Sequence, residues 1–145
     1  MRVYLAGPMT GYPEWNFPAF RDAALTLRLR GYSVWSPAER DLANGFDPES
    51  DGEGFDLEAA LRDDIAAVLA ADAVVVLPGF EKSAGVLVEI LTAEAAGIPW
   101  MTFAEATARR RSRLLSISLA GASVFGLAAL ARTVILTGTA VALAA

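Results

Sequence analysis

The run Ala73-Val74-Val75-Val76-Leu77 constrains the fold more than any other stretch of the chain. Five consecutive apolar residues, three of them β-branched, suit a strand covered on both faces, as in the middle of a parallel sheet. Parallel neighbours require crossover connections, and helical patterns stand on both sides of this run. From Asp56 to Ala71, Leu57, Ala60, Leu61, Ile65, Val68 and Leu69 recur at helical spacing. Ser83 stands as N-cap of another helix reaching Ala96, with Gly97 as its stop. Upstream, Val3 to Ala6 reads as a first strand and Phe17 to Arg30 as a helix, with Asn16 as N-cap, Pro18 in its first turn and Gly31 as stop. Tyr32 to Trp35 gives a second strand and Ile98 to Phe103 a fourth. The alternation predicts an α/β fold, a Rossmann-like or flavodoxin-like doubly wound parallel sheet with right-handed crossovers. In such sheets the ligand crevice lies outside the carboxyl ends of the strands. Three connections therefore converge on one rim: Gly7–Pro13, Pro37–Phe55 and Pro78–Gly85. The Pro37–Phe55 segment, polar and without periodicity, reads as a long loop of the kind used for lids and binding.

Composition narrows the chemistry. The 145 residues contain neither Cys nor His, which excludes disulfides, Cys/His zinc sites and imidazole-assisted nucleophiles. Proton transfer falls to carboxylates, Tyr, Lys or water. A net charge of −5 and a single lysine, Lys82, exclude duplex nucleic acid as a main partner. All 17 acidic residues lie at or before Glu105, whereas Arg109, Arg110, Arg111, Arg113 and Arg132 follow it. The chain is thereby divided into a domain over 1–105, a basic hinge over 106–113 and an apolar tail over 114–145. Residues 114–131 carry no charge, and two readings of them stand: a membrane-spanning helix held by the basic flank, or a buried C-terminal segment packed in an oligomer. The apolar run before Pro8 is too short for a secretory signal, which places the globular part in the cytoplasm.

"KSAGVLVEI", Lys82–Ile90, sets one carboxylate inside an apolar helix. A glutamate there ordinarily serves as a solvated helix residue. The competing reading is a nucleophile, partly desolvated and kept ionised at neutral pH by the positive end of the helix. Asp64 and Asp72 are further candidates; the alternative for Asp72, which directly precedes the third strand, is a turn residue bonding its own backbone. "GFEKSAG" lacks the Gly that a Walker phosphate loop needs before Lys-Ser, and Gly7-Pro8-Met9-Thr10-Gly11 lacks the Rossmann fingerprint spacing. Tyr4, Tyr12, Trp15 and Phe17 could offer a stacking wall for a planar base, although packing is the commoner use of Tyr4 and Phe17.

Together, "YLAGPMTG" (Tyr4–Gly11), "RDDIAAVLAADAVVVL" (Arg62–Leu77) and "SAGVLVE" (Ser83–Glu89) resemble the nucleoside 2-deoxyribosyltransferase superfamily, in particular its small branch from phages and bacteria. The resemblance spans roughly residues 2–103. It implies a nucleoside or nucleotide partner and N-glycosidic bond cleavage or base exchange through a covalent glutamyl-deoxyribosyl intermediate. Glu89 would be the nucleophile, and Asp72 and Asp64 would hold sugar or base or manage the base proton. Gly7, Pro8, Met9, Tyr12, Asn16, Ser83 and Gly85 would line the substrate. Ser83 matches the phosphate-contacting serine of the related 2′-deoxynucleoside 5′-monophosphate N-hydrolases. The chemistry needs no cofactor and no metal, and the family implies a homo-oligomer. The alternative is a non-catalytic nucleotide-binding sensor module, tethered to a membrane through 114–131.

Overall fold

The computed structural model describes residues 1–49, 52 and 54–108. The basic hinge and the apolar tail with its span over 114–131 lie outside them, apart from the hinge's first residues. Among the described residues no helix is long and apolar enough to cross a membrane.

Four strands form one parallel sheet in the order β2-β1-β3-β4: β1 Arg2–Ala6, β2 Ser33–Trp35, β3 Ala73–Val76 and β4 Trp100–Thr102. The β-branched run of β3 is central and wholly buried, as its composition demands. Period-two alternation sorts the strands between two cores. Val3, Leu5, Ala73 and Val75 pack under Phe20, Ala24 and Leu27 of α1 (Phe17–Leu29) and Ala106 of α5 (Phe103–Ala108). Tyr4, Ala6, Val74 and Val76 meet Val68 of α3 (Leu57–Ala70) and Val86, Ile90 and Ala93 of α4 (Ala84–Ala95). The sheet is thus doubly wound. Its strand order reverses between β1 and β3, whose carboxyl ends are tied by the Leu77 amide donating to Ala6 O at 2.8 Å.

Local signals act much as the residues suggest. Asp56 caps α3 by accepting from the Ala59 amide at 2.9 Å, and Ser83 caps α4 by accepting from Val86 at 3.4 Å. Three expectations need correction. The Pro37–Phe55 connection is not all loop, because Pro37–Ala43 forms a helix, α2. Proline at its start supplies a preset φ and surrenders no needed N–H. The fourth strand stops at Thr102, whose amide and hydroxyl both donate to Glu105 Oε2 and turn the chain into α5. Asn16 occupies the N-cap position of α1 but makes no capping bond. It is the last of three successive left-handed residues, Glu14, Trp15 and Asn16, at φ of 49°, 50° and 63°.

Candidate active site

Outside the carboxyl ends of β1 and β3 lies a cavity of about 930 Å³. All three rim connections reach it: Gly7 to Tyr12 after β1, Pro37 to Phe55 after β2, and Lys82 to Gly85 after β3, with α3 closing the remaining side. Gly7 is required by packing there, since a Cβ would stand 2.9 Å from both Leu77 Cδ1 and Phe20 Cζ. Gly85 differs, for the nearest atom to its would-be Cβ is Ser83 Oγ at 3.9 Å. Its bare backbone leaves room toward the cavity. Pro8, Met9, Tyr12 and Ser83 also line the space, and Asn16 stands behind it, with Nδ2 donating to Pro8 O at 2.8 Å. Asn16 is therefore a brace for the first rim loop. Its left-handed backbone is the kind of strain that a rigidly fixed turn can carry.

Glu89 sits on the cavity floor and is 6% exposed, which rules out the solvated-helix role. It lies in the second turn of α4, facing the sheet, and the Tyr4 hydroxyl donates to its Oε1 at 2.6 Å. Its Oε2 is buried without a hydrogen-bond partner among the described residues. Burial pushes the carboxyl up to about 8; the Tyr4 hydrogen bond opposes that rise and the nearby Asp64 charge adds to it. The expectation of a carboxylate ionised at neutral pH is thus corrected. The helix dipole acts over about one turn, and Glu89 lies beyond it, so desolvation wins. Tyr4 itself is fully buried, and burial followed by the Glu89 charge raises its phenol well above the ordinary value.

Asp64 enters the same floor from α3. Burial raises it to about 6, Arg40 pulls it down, and Asp41 adds to the rise. The Tyr4 hydroxyl, bonded to Glu89 Oε1, also acts to lower Asp64. Having one hydrogen, it can donate to only one of the two carboxyls at a time. Environments that separate two neighbouring carboxyls in this way suit one to give a proton while the other attacks. Asp72 is not part of the group. It stands at the amino ends of β1 and β3, where its Oδ2 accepts from the Arg2 amide at 2.6 Å and its Oδ1 from Arg2 Nη2 at 3.3 Å. The backbone bond, then the side-chain bond, from Arg2 lower its pKa. Asp72 is therefore a brace from the start of β3 to β1 rather than a turn residue bonding its own backbone, and its catalytic assignment is withdrawn.

Sequence reasoning missed Arg40 and underrated Tyr4. Arg40 projects from α2 into the cavity lining, its guanidinium 5.7 Å from the Trp35 ring, which stacks on Tyr4 at 5.2 Å. Of the expected stacking wall, Tyr12, Trp15 and Phe17 line the cavity, and Phe46 and Phe55 join them. Phe46 packs on Trp15 at 5.7 Å, on Phe17 at 5.6 Å and on Phe55 at 5.1 Å. The signal for Tyr4 is the alternation of β1, which puts it on the same face as Ala6, Val74 and Val76. For Arg40 it is the Ser36-Pro37-Ala38-Glu39 pattern, a helix-start signature that fixes where Arg40 falls.

Among solved structures, a 2-deoxyribosyltransferase from the psychrotolerant bacterium Bacillus psychrosaccharolyticus is similar in fold, with a TM-score of 0.53 and 23% identity, covering 70% of this chain and 71% of that chain. The fold is thus of the deoxyribosyltransferase type. A comparison with curated proteins finds no match. Residues 1–102 match the model of the family described as "Domain of unknown function (DUF4406)", and the chain belongs to that family.

Proposed function

We propose that this domain cleaves or exchanges the N-glycosidic bond of 2′-deoxynucleosides or their 5′-monophosphates. The observation that carries the reading is the pair of carboxyls, Glu89 and Asp64, that line an open cavity, with the buried Tyr4 hydroxyl donating to Glu89 at 2.6 Å beneath them. The similar structure is a deoxyribosyltransferase, which supports the substrate class.

A Glu89 oxygen attacks the anomeric carbon as the carbon–nitrogen bond breaks, and the electron pair leaves with the base. Near neutral pH burial keeps the proton on Glu89, so it must leave before attack. Asp64, beside the same Tyr4 hydroxyl, is the acceptor within reach, and it then holds the proton that the departing base takes up. Water or a second base resolves the glutamyl ester. The aromatic wall of Trp15, Phe17, Phe46 and Phe55 flanks the planar base. At the other end, Ser83, Lys82 and the first N–H groups of α4 provide the pole suited to a 5′-phosphate.

Incubation with deoxynucleosides and deoxynucleoside monophosphates, followed by chromatography for free base, tests the reading. Base release by the wild type and a loss of at least about 1,000-fold in Glu89→Gln are expected. Full activity in Glu89→Gln would sink the mechanism. Nucleotide binding without release, unchanged in Glu89→Gln, would favour the sensor reading.

A further inference from the structure

Among the described residues, Arg40 and Lys82 are the cations that line the cavity, and they are placed very differently. Lys82 is exposed at the rim. The Arg40 side chain is 14% exposed and inserted between two helices. On one side Nη2 meets Asp41 Oδ1 at 2.8 Å; on the other Nη1 donates to Asp63 Oδ2 at 3.0 Å and to Ala60 O at 3.3 Å. With the Trp35 face against it, these partners fix the guanidinium plane. The same Nη2 is also turned to Asp64, whose Oδ1 lies 3.4 Å away. That contact is the longest of the ion pairs Arg40 makes, and a tie between α2 and α3 is complete without it. Nε meanwhile is buried with no hydrogen-bond partner among the described residues, a cost that stability alone does not call for.

We propose that Arg40 is a positioning residue that decides which of the two floor carboxyls, Asp64 or Glu89, holds the proton. The inference rests on the reading of Glu89 and Asp64 as nucleophile and acid, and names what orders them. The groups facing Asp64 are Tyr4 from β1, Arg40 and Asp41 from α2, Asp63 from its own helix and Glu89 from α4. Arg40 alone among them favours an ionised Asp64 by charge. A fixed cation beside Asp64 sends the shared proton to Glu89, and an ionised Asp64 in turn raises Glu89 further. Charge on Arg40 thereby keeps the nucleophile masked until substrate enters. A second link is mechanical, because Arg40 lies on Trp35, Trp35 on Tyr4, and Tyr4 bonds Glu89.

Assigned carboxyl 13C NMR titration of the substrate-free protein tests this. In Arg40→Met the Asp64 midpoint is expected to rise by about one pH unit or more while that of Glu89 falls, and Arg40→Lys is expected to shift both less. A folded Arg40→Met protein with both midpoints unchanged overturns the assignment, whatever its melting temperature. A second measurement needs no variant: in the wild type the Arg40 guanidinium 15N resonances should move with the Asp64 midpoint, and resonances flat across that range overturn it too. Both readouts omit substrate, so they are independent of base release. Absent base release with these shifts present overturns the enzymatic reading while leaving Arg40's influence on the proton in place.

Discussion

At the scale of single residues, the Tyr4–Glu89 bond is where structure and proposed chemistry meet. A carboxyl 6% exposed, with one oxygen on a phenol and the other unpaired among the described residues, is costly to ionise and therefore reactive once ionised. Removing the hydroxyl in Tyr4→Phe strips Glu89 of the interaction that lowers its pKa. If one shared proton defines the active form, base release follows a bell between about 6 and about 8, values that belong to the Glu89–Asp64 pair. In Tyr4→Phe the alkaline limb should move to higher pH. The rate at neutral pH should fall by roughly 10- to 100-fold, and unfolding in urea should show a loss of about 1–3 kcal/mol for the unpaired buried oxygen. An unshifted limb would mean that the phenol does not act on Glu89. Asp72 gives the opposite lesson. Charge directly before a hydrophobic strand drew attention to it, yet the charge serves the local pairing with Arg2 at the far end of the sheet.

Among elements, the two glycines of the cavity wall separate packing from recognition. Gly7→Ala drives a Cβ to 2.9 Å from Leu77 and Phe20 and should cost about 1–3 kcal/mol in urea unfolding. Gly85→Ala meets nothing closer than 3.9 Å in the first turn of α4 and should be neutral or stabilising by up to about 1 kcal/mol, while raising KM because its methyl enters substrate space. A KM unchanged by Gly85→Ala would remove Gly85 from the binding set. Most elements were legible in the chain. The β-branched run, the cap at Ser83 and the Gly31 and Gly97 stops are local signals that tertiary packing did not override. α2 escaped because seven residues with Glu39, Arg40 and Asp41 at their centre show no apolar stripe, and only Pro37, Ala38 and Asp41 are buried. The cation of the floor escaped with it. Tyr4 was visible as part of a strand, but which helices cover which face depends on strand order, and no local pattern states that the Tyr4 face belongs to α3 and α4.

For the whole molecule, the buried carboxyls link stability to pH with an unusual sign. Glu89 and Asp64 titrate higher in the folded protein than in the unfolded chain, so between the ordinary carboxylate range and about 8 the native state binds more protons. Stability should therefore fall as pH rises from about 5 to about 8, with a slope of up to about 1.4 kcal/mol per pH unit for each group that is protonated only in the native state, and level off above. Urea unfolding across that range checks it, and Glu89→Gln should flatten the upper part. A slope that stays in Glu89→Gln would assign the burden to another group. The same doubly wound sheet that creates this burden also sets Tyr4, Asp64 and Glu89 at the reversal of strand order, under a wall of aromatic side chains. The central claim is covalent: Glu89 takes the sugar. Acid quenching of the protein with a deoxynucleoside or its monophosphate, followed by peptide mass spectrometry, tests it most directly. One deoxyribosyl or phosphodeoxyribosyl adduct on the peptide bearing Glu89, absent in Glu89→Gln, is predicted. Base release with no adduct on that peptide, or an adduct that survives in Glu89→Gln, would contradict it.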